Sequence, residues 1–358
     1  MSTVAEFVIS WTRILDPAGE PTAPLPAFAN DPAELVALYR GMVLTRTFDA
    51  KAVALQRTGR LGTYASSLGQ EAVGVGLAAA MQATDVLVPS FREHGAQLWR
   101  GVSLKELFLY WGGDERGNDF AIPRQDFPNC VPVGSHAPHA VGIALAFRLR
   151  GQRRAAVCVF GDGATSKGDV AEALNMAGVW NVPAVFVVNN NEWAISVPRS
   201  KQSVAATLAQ KAIAAGIAGQ QVDGNDVIAV RLVVEQALQR ARAGGGPSLI
   251  EAVTYRLSDH TTADDASRYR DDAEVSRHWP EEPVARLRSY LGRLGAWNKE
   301  REEALLHEYG EMVEQAAGDY LATPPLPPAA MFEHTYADIP ADLAEQREAA
   351  LVGIGGVA

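Results

Sequence analysis

Gly161-Asp162-Gly163 closes one apolar run, and Asn189-Asn190-Asn191 closes a second one further along the chain. A carboxylate and an amide oxygen side by side are hard donors of the kind magnesium selects, because that ion takes about six oxygens and keeps phosphate and water among them. The two glycines let the backbone turn sharply towards a phosphate, and a helix starting next offers free N–H groups and a favourable dipole. Together these residue types describe a metal-diphosphate site. A glycine turn capped by Asp, with turn-tolerant asparagines elsewhere, accounts for each half separately. What favours the ligand site is that both halves follow strands joined by one crossover.

The elements that would position these groups are legible in the flanking text. Residues 155–160 (AAVCVF) are short, apolar and uninterrupted, as a strand buried on both faces of a parallel sheet must be. A helix over 171–180 packs through Leu174, Ala177 and Val179, and a second buried strand spans 183–188, which completes a βαβ unit. Ligands of such sheets bind outside the carboxyl ends of the strands, where Asp162 and the asparagines fall.

Upstream, Asp31, Pro32 and Glu34 form a helix start, and Leu35, Leu38, Met42 and Val43 give it an apolar face. The pattern predicts a helix over 70–81, a strand at 86–88, a long loop over 112–132 and a helix over 137–149. Downstream it predicts helices over 225–241, 280–291 and 298–320 and a strand over 248–255. The alternation describes a doubly wound, mostly parallel α/β sheet flanked by helices. Residues 1–30 read as an N-terminal arm with a β-like run at 7–9, residues 31–323 as the main domain, and residues 324–358 as a C-terminal extension.

Composition limits the function classes. A chain of 358 residues, 47% hydrophobic and 21% charged, is globular and long enough for a large core. The formal charge of −10 argues against general nucleic-acid affinity. Two cysteines, Cys130 and Cys158, make no disulfide framework and match no metal-ligand spacing, so a reducing compartment is expected. No signal or transit peptide is evident, and no apolar run is long enough for a bilayer, so a cytoplasmic location without membrane contact is expected.

The stretch 161–169 (GDGATSKGD), with Ala194-Ile195-Ser196-Val197-Pro198, Val222-Asp223-Gly224-Asn225-Asp226, Thr254-Tyr255-Arg256 and 260–265 (HTTADD), resembles the alpha subunits of heteromeric thiamine-diphosphate-dependent 2-oxo acid dehydrogenases. The similarity runs from about Pro32 to the end. It implies a thiamine-diphosphate-binding fold, oxidative decarboxylation of a small 2-oxo acid, and transfer of the acyl group to the lipoyl domain of a dihydrolipoyl acyltransferase. It further implies a beta subunit, in an α2β2 heterotetramer, that supplies the catalytic glutamate and completes the site.

The same resemblance assigns individual residues. Asp162, Asn191 and the Trp193 carbonyl would hold magnesium, with Asn191 chosen among the three asparagines by counting back from Ala194-Ile195-Ser196. Phe91 and Arg92 match a diphosphate-contacting pair, Arg92 being suited by its forked, charge-assisted donors. Phe91 stands where many relatives carry Tyr, which removes a hydroxyl contact. Val131 and Val133 match residues against the aminopyrimidine, and Gly163 and Ala164 match backbone donors to the cofactor. His260, in the polar segment 258–272, matches a histidine that reaches the diphosphate from a loop; a phosphate contact and proton handling are both open to an imidazole. Glu192 is unusual, and an acid facing the diphosphate would be repelled, so its side chain is expected to face solvent. His94 is read as either lining the channel or solvated. His136 and His139 lack an accompanying metal motif.

Pyruvate is the expected substrate, because the segment 111–118 is nearer to bacterial pyruvate dehydrogenases. Ala65 after Tyr64, where mitochondrial-type pyruvate enzymes have histidine, keeps a branched-chain 2-oxo acid as the alternative. A catalytically inactive scaffold and a decarboxylase without a lipoyl acceptor are the other readings.

Overall fold

The computed structural model describes residues 2–333 and 335–354. The chain divides into two compact units, Met1–Ala317 and Gly318–Ala358. Among the described residues the first contains eight strands: β1 (Ser10–Thr12), β2 (Val86–Val88), β3 (Ala156–Gly161), β4 (Ala184–Asn190), β5 (Trp193–Ala194), β6 (Val197–Pro198), β7 (Ala218–Asp223) and β8 (Ser248–Val253). Six form one sheet in the order β1-β7-β8-β4-β3-β2, and every pairing in it is parallel. β5 and β6 make a separate antiparallel ribbon. The second unit holds the helices Ala330–Glu333 and Ala341–Ile354.

The central strands are apolar throughout because both faces are covered. On one face Val157, Val159, Val185 and Val187 join one core cluster. On the other, Cys158, Phe160, Phe186 and Val188 join a second. The period of two that divides them is the pleat of a strand, and each large side chain fully withdrawn from water contributes roughly 1.5–3 kcal/mol.

Helix α1 (Pro32–Arg57) starts as its sequence predicts, with Asp31 accepting a hydrogen bond from the Ala33 N–H and Pro32 in the first turn. α2 (Glu71–Ala80) is buried on nearly every side, which its Gly, Ala and Val content permits. α3 (His94–Arg100), α4 (Leu104–Trp111), α5 (Ala137–Leu149) and α6 (Gly168–Val179) follow. Later helices span Val227–Arg242, Pro283–Arg293 and Lys299–Leu321. Among the described residues no helix is long and apolar enough to cross a membrane.

Three local expectations are corrected. The first strand forms at Ser10–Thr12, not at 7–9, because the chain is pinned there: the Ile14 and Leu15 N–H groups both donate to Asp226 at 2.7 Å, next to the register Ser10↔Gln220. The helix expected from 225 starts at Val227, since Asp226 caps it through the Ile228 and Ala229 N–H groups. The loop 112–132 contains a short 3-10 helix, Glu115–Asn118, entered through the Asp114 side chain.

Candidate active site

The carboxyl ends of β2, β3 and β4, with His260 and Thr261 from the segment after β8, line a cavity of about 620 Å³. β3 delivers Asp162 into a 3-10 turn, Asp162–Ser166, where the carboxylate is 2% exposed and accepts from Gln202 Nε2 at 2.6 Å. Burial pushes this carboxyl up, against the stabilising bonds from Gln202 and the Gly163 N–H. Gly163 is required by space: a Cβ there would stand 2.7 Å from the Ala194 Cβ in the β5–β6 ribbon.

The end of β4 sorts the three asparagines. Asn189 and Asn191 line the cavity, whereas the Asn190 side chain points away and donates to Glu251 Oε1 at 2.8 Å. Asn191 donates to Gln70 Oε1 at 2.9 Å, and its Oδ1 accepts from the Trp193 N–H at 3.3 Å. Between them Glu192 has φ +67°, in the left-handed region that disfavours side chains. Its side chain does not simply face solvent as expected. It is half-buried, and burial together with the Asp162 charge pushes its carboxyl up.

One guanidinium lines this metal-type corner, that of Arg92, and a second, that of Arg256, lies buried behind the wall. Arg92 donates to the Ser66 and His260 carbonyls at 2.5 Å each, and to His260 Nδ1 at 2.9 Å. Arg256, fully buried, donates to the carbonyls of Trp193 at 3.3 Å and Ile195 at 2.8 Å and to the Tyr269 hydroxyl at 2.8 Å. Among the described residues neither is in ion-pair contact with a carboxylate. Burial, reinforced by Arg256, lowers Arg92 to about 10. A buried cation without a paired anion is costly, and an anionic ligand in the cavity would offset that cost for Arg92, which lines it.

His260 is held in one protonation state. Its Nδ1 faces Arg92 at 2.9 Å and Arg256 at 3.5 Å, both donors, so the ring proton belongs on Nε2. Burial, then Arg92 and Arg256, lowers its pKa to about 4. It is therefore a neutral donor on the cavity wall, not a solvated histidine. The segment around it is tied down by Arg270 donating to the Ser258 carbonyl at 2.9 Å, Ala266 N–H to Asp259 at 3.0 Å and Thr262 N–H to the Tyr64 carbonyl at 2.8 Å.

The other end of the cavity is apolar, lined by Ala65, Phe91, Trp111, Val131, Val133 and Ile195. Val131 and Val133 are 57% and 47% exposed at its rim, unlike ordinary core valines. Ala164 is buried on the floor. His94 is neither solvated nor in the cavity wall: it is fully buried behind Trp111, whose indole N–H donates to its Nε2 at 3.0 Å, and burial lowers its pKa to about 3. His136 Nε2–H donates to the Val159 carbonyl at 2.8 Å, and no cluster of three His, Cys, Asp or Glu suited to a metal occurs among the described residues.

The cavity thus gathers all ten sequence-assigned residues on its walls. Arg256, Gln70 and Glu93 were not assigned from sequence. The signal for Arg256 is its place in Thr254-Tyr255-Arg256, just past a buried strand. Gln70 and Glu93 carried none, and Glu93 proves to be a buried carboxyl raised to about 7 by desolvation.

A parallel α/β sheet with an acid, an amide and a buried guanidinium around a cavity at its strand ends has the donors that a metal-bound diphosphate needs. The chain belongs to the dehydrogenase E1 component family, whose pattern matches residues 39–328. It is similar to the 3-methyl-2-oxobutanoate dehydrogenase subunit alpha of Mycobacterium tuberculosis, 42% identical over 337 residues, covering 94% of this chain and 92% of that one. It is 40% identical to the pyruvate dehydrogenase E1 component subunit alpha of Staphylococcus aureus over 316 residues, covering 88% and 85%. The subunit of that name from Acholeplasma laidlawii is 41% identical over 319 residues, covering 88% and 92%. The chain is a thiamine-diphosphate-dependent 2-oxo acid dehydrogenase alpha subunit, as its sequence motifs imply.

Proposed function

We propose that the cavity binds thiamine diphosphate with magnesium and that the enzyme decarboxylates a branched aliphatic 2-oxo acid, passing the acyl group to a lipoyl domain. The observation that carries the cofactor site is the buried Arg92 guanidinium on the cavity wall with Asp162 and Asn191, in ion-pair contact with no carboxylate among the described residues. The donor set fits the group: Asp162, Asn191 Oδ1 and the Trp193 carbonyl would hold magnesium, and Arg92 with His260 Nε2–H would hold phosphate oxygens. Gly163 and Ala164 would approach the diphosphate through their backbone, and Phe91, Val131 and Val133 would pack the rings.

Bound there, thiamine diphosphate supplies the electron sink for loss of carbon dioxide from a 2-oxo acid. This chain's residues bind and orient it. His260, neutral and with Nδ1 engaged by two cations, donates a hydrogen bond and does not act as a general acid near neutral pH. The exposed Val131, Val133 and Ile195 at the rim suit coverage by a beta subunit that completes the reactive end, giving an α2β2 assembly in a bacterial-type cytoplasm.

Ala65 supports the branched-chain reading: it is buried, small and on the cavity wall, and leaves more apolar room than a larger side chain there would. The 94% coverage by the 3-methyl-2-oxobutanoate relative points the same way. Pyruvate, expected from segment 111–118, is the second reading, supported by the relatives that carry that name. Co-expression with the beta subunit, followed by lipoyl-domain acylation with 3-methyl-2-oxobutanoate against pyruvate, separates them. An inactive scaffold would bind no cofactor, and a simple decarboxylase would acylate no lipoyl group.

A further inference from the structure

We infer that Glu251 is a positioning residue for the metal-binding turn, acting through the side chain of Asn190. Glu251 lies in β8 opposite Val188 of β4 and is 1% exposed. Its carboxylate accepts three hydrogen bonds, all from neutral donors: Asn190 Nδ2 at 2.8 Å on Oε1, and the Ala209 N–H and Gln221 Nε2 at 2.9 Å each on Oε2. Nothing in the cavity wall requires it, since neither Glu251 nor Asn190 lines the cavity.

The consequence of the carboxylate lies on the other side of the Asn190 amide. Asn190 turns its amide NH₂ to the Glu251 side chain, which leaves Asn190 Oδ1 facing the opposite direction. There Oδ1 accepts the Glu192 N–H at 3.1 Å. Glu192 is the residue at φ +67°, a conformation a side chain adopts only when its surroundings hold it. That turn is what aims the Asn191 side chain and the Trp193 carbonyl at the same corner, where Trp193 N–H closes back on Asn191 Oδ1. Glu251 therefore sets an amide orientation, the amide holds a strained turn, and the turn presents two of the three magnesium donors.

The inference rests on the reading of the cavity as a magnesium and thiamine diphosphate site, and the test separates the two. Glu251→Gln preserves shape but places an NH₂ among three donors. The arrangement that costs least lets the new amide donate to Asn190, which turns the Asn190 NH₂ onto the Glu192 N–H and releases the turn. The double variant Asn190→Asp with Glu251→Gln exchanges acid and amide: the acid at 190 accepts from both the new amide and the Glu192 N–H, and the amide oxygen at 251 accepts from Ala209 and Gln221. Every pair is matched again.

Manganese binding with thiamine diphosphate is measured by electron paramagnetic resonance on the complex of the full chain with its beta subunit. Glu251→Gln is expected to weaken manganese by roughly 10- to 100-fold and to alter the bound-ion line shape, and the exchange variant to restore both. If Glu251→Gln does not fold, Asn190→Ala retains the Ala209 and Gln221 bonds and should weaken manganese in the same way. Manganese affinity and line shape unchanged in Glu251→Gln, or no recovery in a folded exchange variant, overturns the positioning role alone. An unaltered complex that binds neither manganese nor thiamine diphosphate overturns the reading of the site and the inference with it.

Discussion

Replacing Arg92 by Gln should move the ligand-free and the cofactor-bound protein in different ways. Arg92 is 9% exposed, and burial with the Arg256 charge holds it at about 10 instead of 12.5. Keeping that charge in the ligand-free chain therefore costs on the order of 3 kcal/mol. Removing it relieves this cost but orphans the Ser66 and His260 carbonyls, which together lose about 1–3 kcal/mol. The two terms nearly cancel, so the unfolding free energy without ligand should change by less than about 2 kcal/mol. With cofactor the balance is one-sided. A charge-assisted hydrogen bond to phosphate is worth about 1.5–3 kcal/mol, so thiamine diphosphate should bind roughly 10- to 150-fold more weakly. Calorimetric titration and thermal unfolding with and without thiamine diphosphate and magnesium read both quantities, since stabilisation by a ligand follows its affinity. A ligand-free protein destabilised far beyond that range, with cofactor affinity intact, would mean that Arg92 is a core ion and that the unpaired-cation argument is wrong.

Other outcomes follow from the same geometry. His260 has a folded pKa of about 4 against 6.5, so the unfolded chain binds its proton first; the stability this contributes is present above pH 6.5 and is lost as pH falls towards 4. His260→Gln should therefore flatten the acid limb of ligand-free stability between those values, and an unchanged limb in a pH series of denaturant unfolding would contradict the environment described. Gly163→Ala forces the new Cβ to within 2.7 Å of Ala194 unless the ribbon shifts; overpacking of this kind costs about 1–3 kcal/mol, and fluorescence titration should show cofactor binding lost in a chain that still folds. Ala65→Leu fills the apolar end, and kcat/KM for 3-methyl-2-oxobutanoate relative to pyruvate should fall by about tenfold or more; an unaltered ratio would place substrate choice elsewhere.

The sheet was legible because its central strands are buried on both faces, which leaves runs such as 155–160 and 183–188 without polar interruption. The edge strand at Ser10–Thr12 was displaced from its expected place because its position depends on Asp226, a contact more than two hundred residues distant in sequence. Asp162 and Asn191 could be read from local motifs. The tautomer of His260 and the lowered pKa of Arg92 could not, since they depend on contacts between Arg92, His260 and Arg256, which are far apart in sequence or in separate segments. Glu192 does not line the cavity, but it is half-buried where solvent exposure was expected, in a left-handed turn whose N–H is held by Asn190, which no local pattern encodes. His94 lost its solvated reading to a stack with Tyr64 that only the packed helices create.

The measurement closest to the central claim is lipoyl-domain acylation by the complex with its beta subunit, comparing the unaltered chain with Asp162→Ala at saturating 3-methyl-2-oxobutanoate, thiamine diphosphate and magnesium. The expected result is transfer by the unaltered complex that requires both cofactors, and no transfer by an Asp162→Ala complex that still assembles. Transfer that persists without Asp162, or an unaltered complex that binds thiamine diphosphate yet acylates no lipoyl group from either 2-oxo acid, would contradict it.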